Sequence, residues 1–402
     1  LDNEQEKQPD AQQASSCNPA EPYAQQSPYC NSARLPAYRN PAVSYSSTSS
    51  PQASFNPSLY SAPSDTEKEP RILLRSAGNS ASFVPILEQL IAVPILFVAV
   101  LIWFSANINQ FQPSIQKTGT VYAIIQYFNT SEGISTLLIL NTVITTSATI
   151  LTIFITRSFL HRKIKEQLKR PSLSFLEYVK YLVFAFSIAG IGACWSTGIQ
   201  TLCKNAGISI AIPDFTIKDD PAATTILIIY ACVVGPILEE ILFRGLVLQS
   251  LRPWGDKLAI IVSSVLFGLM HMNVIQVFTT TLLGLLLAYV AIKSDSIIST
   301  IILHILYNST LMPCELYGNQ NHASIQIFYQ IFLAVMILAS LVLILTRRIP
   351  FQEISKQSAP NIVLPKHPYR VVFLQAAAFW VVVAIFIINS FDPAIVGFFE
   401  RM

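Results

Sequence analysis

Residues Gly235 to Gly245 read GPILEEILFRG, with TTILIIYACVV before them and LVLQSL after. The run is apolar enough to cross a bilayer, yet it carries Glu239, Glu240 and Arg244. An ionisable side chain inside a membrane span is expensive and by default marks function. Spacing separates the roles. Arg244 follows Glu240 by four, one helical turn along the same face, so its guanidinium can meet that carboxylate within the helix. Glu239 then points about 100° away and is left for other work.

The rest of the chain supports a membrane setting. Its 402 residues are 52% hydrophobic and 12% charged, with a mean hydropathy of +0.49, the composition of a polytopic membrane protein. A formal net charge of +3, with no basic tract interleaved with aromatics, argues against nucleic-acid binding. None of Cys17, Cys30, Cys194, Cys203, Cys232 and Cys314 forms a CxxC pair, so a thiolate metal site is not expected. Cys203 and Cys314 fall in loops assigned to one non-cytoplasmic side, where either a disulfide or two unpaired thiols fits. The polar opening from Leu1 has no early apolar stretch, so no cleavable signal peptide is expected there.

Residues 1–80 are rich in Pro, Ser, Gln and Tyr, with too few aliphatic residues to offset the entropy of ordering, and read as a disordered cytoplasmic tail. A solvated tail is the simple reading; the alternative is a docking segment for a protein partner with an aromatic groove that reads polyproline conformation. Beyond it the pattern is all-α, a polytopic transmembrane helical bundle of about nine spans. The first two fall in 81–170, near Leu90 to Ala106 and Ile134 to Ile155. A core over 171–312 holds five more, and the last two lie in 313–402. Basic residues precede the first span at Lys68, Arg71 and Arg75, and follow the second from Arg157 to Arg170. Both flanks place the amino terminus in the cytoplasm.

Helical rise converts position into depth. Measured from the cytoplasmic ends of their spans, Glu239 and Glu240 lie at roughly 14 Å, His271 at roughly 20 Å, His304 at roughly 11 Å and Asn308 at roughly 17 Å. In FGLMH, Phe267 and His271 are four apart, so the ring can shield the imidazole. In HILYN, His304 and Asn308 share a face by the same spacing. Each group alone has a structural reading: the Glu-Arg pair as glue between helices, a lone histidine at an interface, Asn308 as an interhelical hydrogen bond. Together they put carboxylate, imidazole and amide in one slab. That set suits amide hydrolysis, with a buried carboxylate taking a proton from water and His and Asn donating to an oxyanion. Alternatively, Glu239, His271 and His304 could ligate a divalent metal such as zinc. No HExxH is present to supply metal ligands from one helix.

EEILFR, FGLMH and HILYN in that order resemble the CPBP family of intramembrane proteases, named for CAAX proteases and bacteriocin-processing enzymes and also called Abi. The family pattern is EExxxR, FxxxH and HxxxN on successive membrane helices, and the resemblance covers about Tyr178 to Thr310. It implies that Glu239 and His271 activate water, that His304 and Asn308 stabilise the oxyanion, and that Glu240 and Arg244 support the first motif. Both a metalloprotease and a metal-free glutamate mechanism are argued for the family.

The expected protein is therefore a multi-pass endopeptidase, a CAAX-processing-like metalloprotease or its metal-free equivalent, in a bacterial cell membrane. Its substrate would be a membrane-embedded, prenylated or otherwise membrane-associated peptide. One rival is a non-proteolytic member acting as a membrane scaffold or bacteriocin self-immunity protein. A second is a proton-coupled transporter, which predicts broken helices in both halves; Pro236 is such a break, and the other half supplies no counterpart.

Overall fold

The computed structural model describes residues 65–128, 130–160, 164–208, 210, 220–318, 323–351 and 374–391. Contacts divide the chain into Leu1–Ser61 and Ala62–Met402. The first unit, and with it nearly all of the expected tail, lies outside the described residues. So does the side chain of Cys314, and hence its pairing; Cys203 is a buried thiol.

The second unit is all helix among the described residues. Its order is α1 (Asp65–Ala106), α2 (Ile108–Thr118), α3 (Thr120–Phe128), α4 (Ser131–Leu160) and α5 (Phe175–Asn205). Then come α6 (Pro221–Trp254), α7 (Asp256–Met270), α8 (Val277–Ser294), α9 (Ile297–Gly318), α10 (Ala323–Leu345) and α11 (Ala377–Ser390). Among the described residues, 6 helices are long and apolar enough to cross a membrane, in α1, α4, α5, α6, α8 and α10. Ile297–Pro313 and Ala377–Ser390 are shorter apolar helices. The 15 residues of α7 span only about 22 Å, less than a typical hydrocarbon core of about 30 Å. The nine expected spans thus become a mixture of full spans and shorter helices.

The outward surface is what a bilayer requires. Val93, Phe97 and Ile102 of α1 and Phe328, Leu338 and Leu345 of α10 are all exposed, a density of large apolar groups that water would not tolerate in a soluble monomer. This is an integral membrane protein. The boundary drawn at residue 80 from composition falls inside α1, which begins at Asp65. Its early turns are held by tertiary packing: Leu74 is fully buried against Trp254, and Ala81 and Val84 join the cluster formed by α6, α7 and α8.

Local chemistry sets several helix ends. Ser174 and Glu177 form a reciprocal capping box at the start of α5, satisfying two otherwise orphaned donors. Asp220 caps α6 by accepting from Ala222 and Ala223; the backbone N–H of Ala223 holds its carboxyl below the usual range. One end of the bundle is tied by ion pairs of Lys169 with Asp295 and of Lys293 with Glu177, and by Ser296 donating to the Lys169 carbonyl at 2.6 Å.

Two apolar clusters flank the middle of α8. One joins α8 to α6 and α7 through Leu242, Phe243, Leu266, Phe267 and Ala288. The other joins α8 to α5, α9 and α10 through Phe186, Leu283, Leu303 and Leu333. The close approach of α7 and α8 depends on Gly268, where a Cβ would lie 2.0 Å from Thr281 Oγ1 and 2.8 Å from the Val277 carbonyl oxygen. Gly268→Ala is expected to push the two helices apart and lower stability by about 1–3 kcal/mol. Thermal unfolding of the purified protein in nanodiscs measures it, and Gly268→Ala combined with Thr281→Ala should recover part of the loss.

Candidate active site

The two adjacent glutamates sit on a helix that does not keep one pitch. Within α6, Tyr230–Val234 and Ile241–Val247 are π-helical turns flanking an α-helical Gly235–Glu240. Such wide turns recur at functional sites because they re-aim side chains. Pro236 explains part of the irregularity. The Gly235 N–H bonds to the Tyr230 carbonyl, and Pro236 has no N–H to offer. The Ala231 carbonyl is thereby left without its usual donor in the helix, and Asn308 Nδ2 of α9 donates to it at 2.8 Å. A helix defect and an asparagine from another helix complete one another.

Glu240 is fully buried, and Arg244 is 1% exposed. Arg244 Nη1 donates to Glu240 Oε1 at 2.7 Å, Nη2 donates to the Gly284 carbonyl of α8 at 3.3 Å, and Cζ lies 4.4 Å from the centroid of the Phe267 ring. The cation is thus met by a carboxylate, a carbonyl and a π face, which together offset its desolvation. His304 of α9 adds a third element, with Nδ1 3.0 Å from the same Glu240 Oε1. A carboxylate oxygen paired with arginine is an acceptor, so Nδ1 carries the hydrogen and Nε2 is turned the other way.

That other way leads to Glu239, whose Oε2 is 3.8 Å from His304 Nε2. The Glu239 side chain is 21% exposed where that of Glu240 is 0%. The neighbours are therefore unequal: Glu240 is locked in a buried pair, while Glu239 opens to a cavity. His271 sits just past the last turn of α7, and its Nδ1 lies 2.9 Å from the Phe267 carbonyl. A carbonyl only accepts, so Nδ1 is the donor and Nε2 is left with a lone pair in the neutral ring. Phe267 is edge-on to both imidazoles, with centroids at 5.1 Å from His271 and 6.1 Å from His304.

Glu239, Phe267, His271, His304 and Asn308 all line one cavity of about 690 Å³ between α5, α6, α8, α9 and α10. Glu240 and Arg244 lie behind it. The first set can position water against a carbonyl group; the second can hold its orientation. Glu239, His271 and His304 offer the donor types a divalent metal accepts, but the described residues contain no group of three or more His, Cys, Asp or Glu arranged to hold a metal ion. No step proposed below is routed through such an ion.

Sequence reasoning passed over Glu88. It stands in FVPILEQLIAV, just ahead of the expected first span. In the structure it is buried near the middle of α1 and lines a second cavity together with Glu239 and His271. The usable signal was a lone carboxylate in an apolar run between Pro85 and Pro94.

A helical membrane bundle with paired glutamate, histidine and asparagine at its centre is the class this geometry defines. Residues 221–310 match the family described as Type II CAAX prenyl endopeptidase Rce1-like, and this segment contains the three motifs by which the chain resembles the CPBP family. The chain is also 30% identical over 107 residues to the protein described as "Putative membrane peptidase YdiL" of Bacillus subtilis (strain 168), an alignment covering 26% of this chain and 44% of the relative. No solved structure matches.

Arg244→Met alone is expected to destabilise the fold by about 3–5 kcal/mol, because Glu240 is left buried without its cation. Glu240→Gln with Arg244→Met should be far less damaging than the two single changes added together. A double-mutant cycle in chemical or thermal unfolding measures the difference, and additive losses would remove the pair from its bracing role.

Proposed function

We propose that this chain is an intramembrane endopeptidase in which Glu239 activates water for attack on a peptide bond. The observation that carries this reading is the convergence of Glu239, His271, His304 and Asn308, from three helices, on one cavity. Glu240, only one residue from Glu239, is held out of it by Arg244.

In this mechanism the His271 Nε2 lone pair and the Glu239 carboxylate hold one water by its hydrogens. As the water oxygen bonds to the scissile carbonyl carbon, its proton passes to Glu239 and the carbonyl electrons move to oxygen. Nδ2 of Asn308 keeps a second hydrogen beyond the one given to Ala231, and donates it to the oxyanion. His304 donates to the same oxygen only when Nε2 bears a proton, and Glu239, 3.8 Å away, is the group that can supply one. Collapse of the tetrahedral intermediate breaks the C–N bond, and the proton taken from water leaves on the amine nitrogen.

The substrate class is a membrane-embedded, prenylated or otherwise membrane-associated peptide. Two things support it: the cavity lies among helices with lipid-facing surfaces, and the matching family is described as a CAAX prenyl endopeptidase. The ion-paired end of the bundle, with Arg157, Lys169, Lys293 and Arg347 near it, is read as cytoplasmic by its basic residues, and a bacterial cell membrane remains the proposed setting.

Glu239→Gln should lower turnover by roughly 10²–10⁴-fold while the protein still accumulates and unfolds at an unchanged temperature. Cleavage of lipidated and transmembrane peptides in proteoliposomes, followed by mass spectrometry, reads this; full turnover would end the glutamate mechanism. Turnover lost to a chelator and restored by zinc would instead put a Lewis acid in the site.

A further inference from the structure

We propose that the cavity between α1, α4 and α6 is a water-binding compartment that supplies the hydrolytic water to Glu239 and His271, with Glu88 as its anchor. This rests on the peptidase reading above and assigns the two cavities beside Glu239 to the two reactants.

The smaller cavity measures about 260 Å³ and is lined by Glu88, Thr145, Thr149 and Tyr230 as well as by Glu239 and His271. That far exceeds the roughly 10–15 Å³ that admits one water, and a water needs two to four polar partners. The lining has them. Glu88 Oε1 accepts from Thr149 Oγ1, while Oε2 is buried with no hydrogen-bond partner among the described residues. Among the described residues, no lysine or arginine lines the cavity to neutralise that carboxyl, and Arg244 is committed to Glu240. Water is the ligand that can satisfy Glu88 and the hydroxyls together in an otherwise apolar slab.

Placement relative to the site gives the compartment its role. Glu239 and His271 line both cavities. His304 and Asn308, the proposed oxyanion partners, line the larger cavity and not the smaller. A carbonyl oxygen held by them keeps the peptide in the larger space. Water that Glu239 and His271 receive from the other side then reaches the carbonyl carbon without crossing the substrate. Glu88 lies outside residues 221–310, the segment matched by the family, so the assignment draws on packing of α1 rather than on the motifs.

The test uses the full chain in nanodiscs with three variants: Glu88→Leu, Ala92→Leu to fill the cavity from α1, and Glu88→Gln, whose amide can still hold water. Glu88→Leu and Ala92→Leu should lower kcat about tenfold or more with KM changed by less than about twofold, and Glu88→Gln should retain most of the turnover. X-ray hydroxyl-radical footprinting gives a readout independent of activity. Tyr230 and Met270, which line the cavity, should be labelled well above Met336, which packs against an apolar cluster, and the excess should vanish in Ala92→Leu. A raised KM at constant kcat would make the cavity a peptide subsite and overturn the proposal. So would unchanged kinetics in both leucine variants, or labelling of Tyr230 and Met270 no higher than that of Met336 in the unaltered protein. If Glu239→Gln keeps full turnover, the peptidase mechanism falls, while the footprint still decides whether the cavity holds water. Should Glu88→Leu fail to fold, Ala92→Leu and the unaltered protein carry the decision.

Discussion

The buried pair of Glu240 with Arg244 is the constraint on which the centre of this bundle depends. Two charges far from water are tolerable only when each finds partners in place. Arg244 draws on α6 itself for Glu240, on α8 for the Gly284 carbonyl and on α7 for the Phe267 ring. Glu240 in turn takes His304 from α9. Four helices are thereby indexed to one ion pair, and sliding any of them by a turn would strand a charge. The pair's contribution is best seen as positional, since an apolar replacement of similar volume often folds as well.

Backbone irregularity does comparable work. In a bilayer every carbonyl needs a partner inside the protein, so the turn disturbed around Pro236 required a donor from elsewhere. Asn308 meets that need and is held by it at the edge of the cavity. The π turns on either side of Gly235–Glu240 place adjacent glutamates in different surroundings, one sealed and one open. The same defect that resembles a broken transporter helix therefore serves here as a mount for the site. Gly268 makes an equivalent contribution by allowing α7 and α8 to approach closely at Thr281 and Val277.

The cavities on either side of Glu239 give the region beyond the matched segment a reason to be attached. A hydrolase within a membrane must bring together an apolar substrate and a polar reactant that partition oppositely. The residues of α1 and α4 add polar groups next to the motif residues while presenting apolar side chains outward.

Much of this was legible in the chain. Periodicity and hydropathy determined an all-helical membrane protein, because spans in lipid must be apolar and internally hydrogen-bonded. Four-residue spacing determined which side chains share a face: Glu240 with Arg244, Phe267 with His271, His304 with Asn308. It also distinguished Glu239 from its neighbour. Other features were decided only when helices packed. Composition stopped the tail at residue 80, but Leu74 is packed within a helix against Trp254 of α6 and Leu258 of α7, a contact no local pattern contains. Glu88 drew no reading from the sequence, because hydropathy weighs a charge by its neighbours in the chain, whereas its partner Thr149 and its cavity neighbour Glu239 lie 61 and 151 positions away. The pairing of Asn308 with Ala231 depended on which carbonyl an irregular turn leaves free. Local patterns determine faces and depths, and only the meeting of faces across helices decides which groups share a cavity.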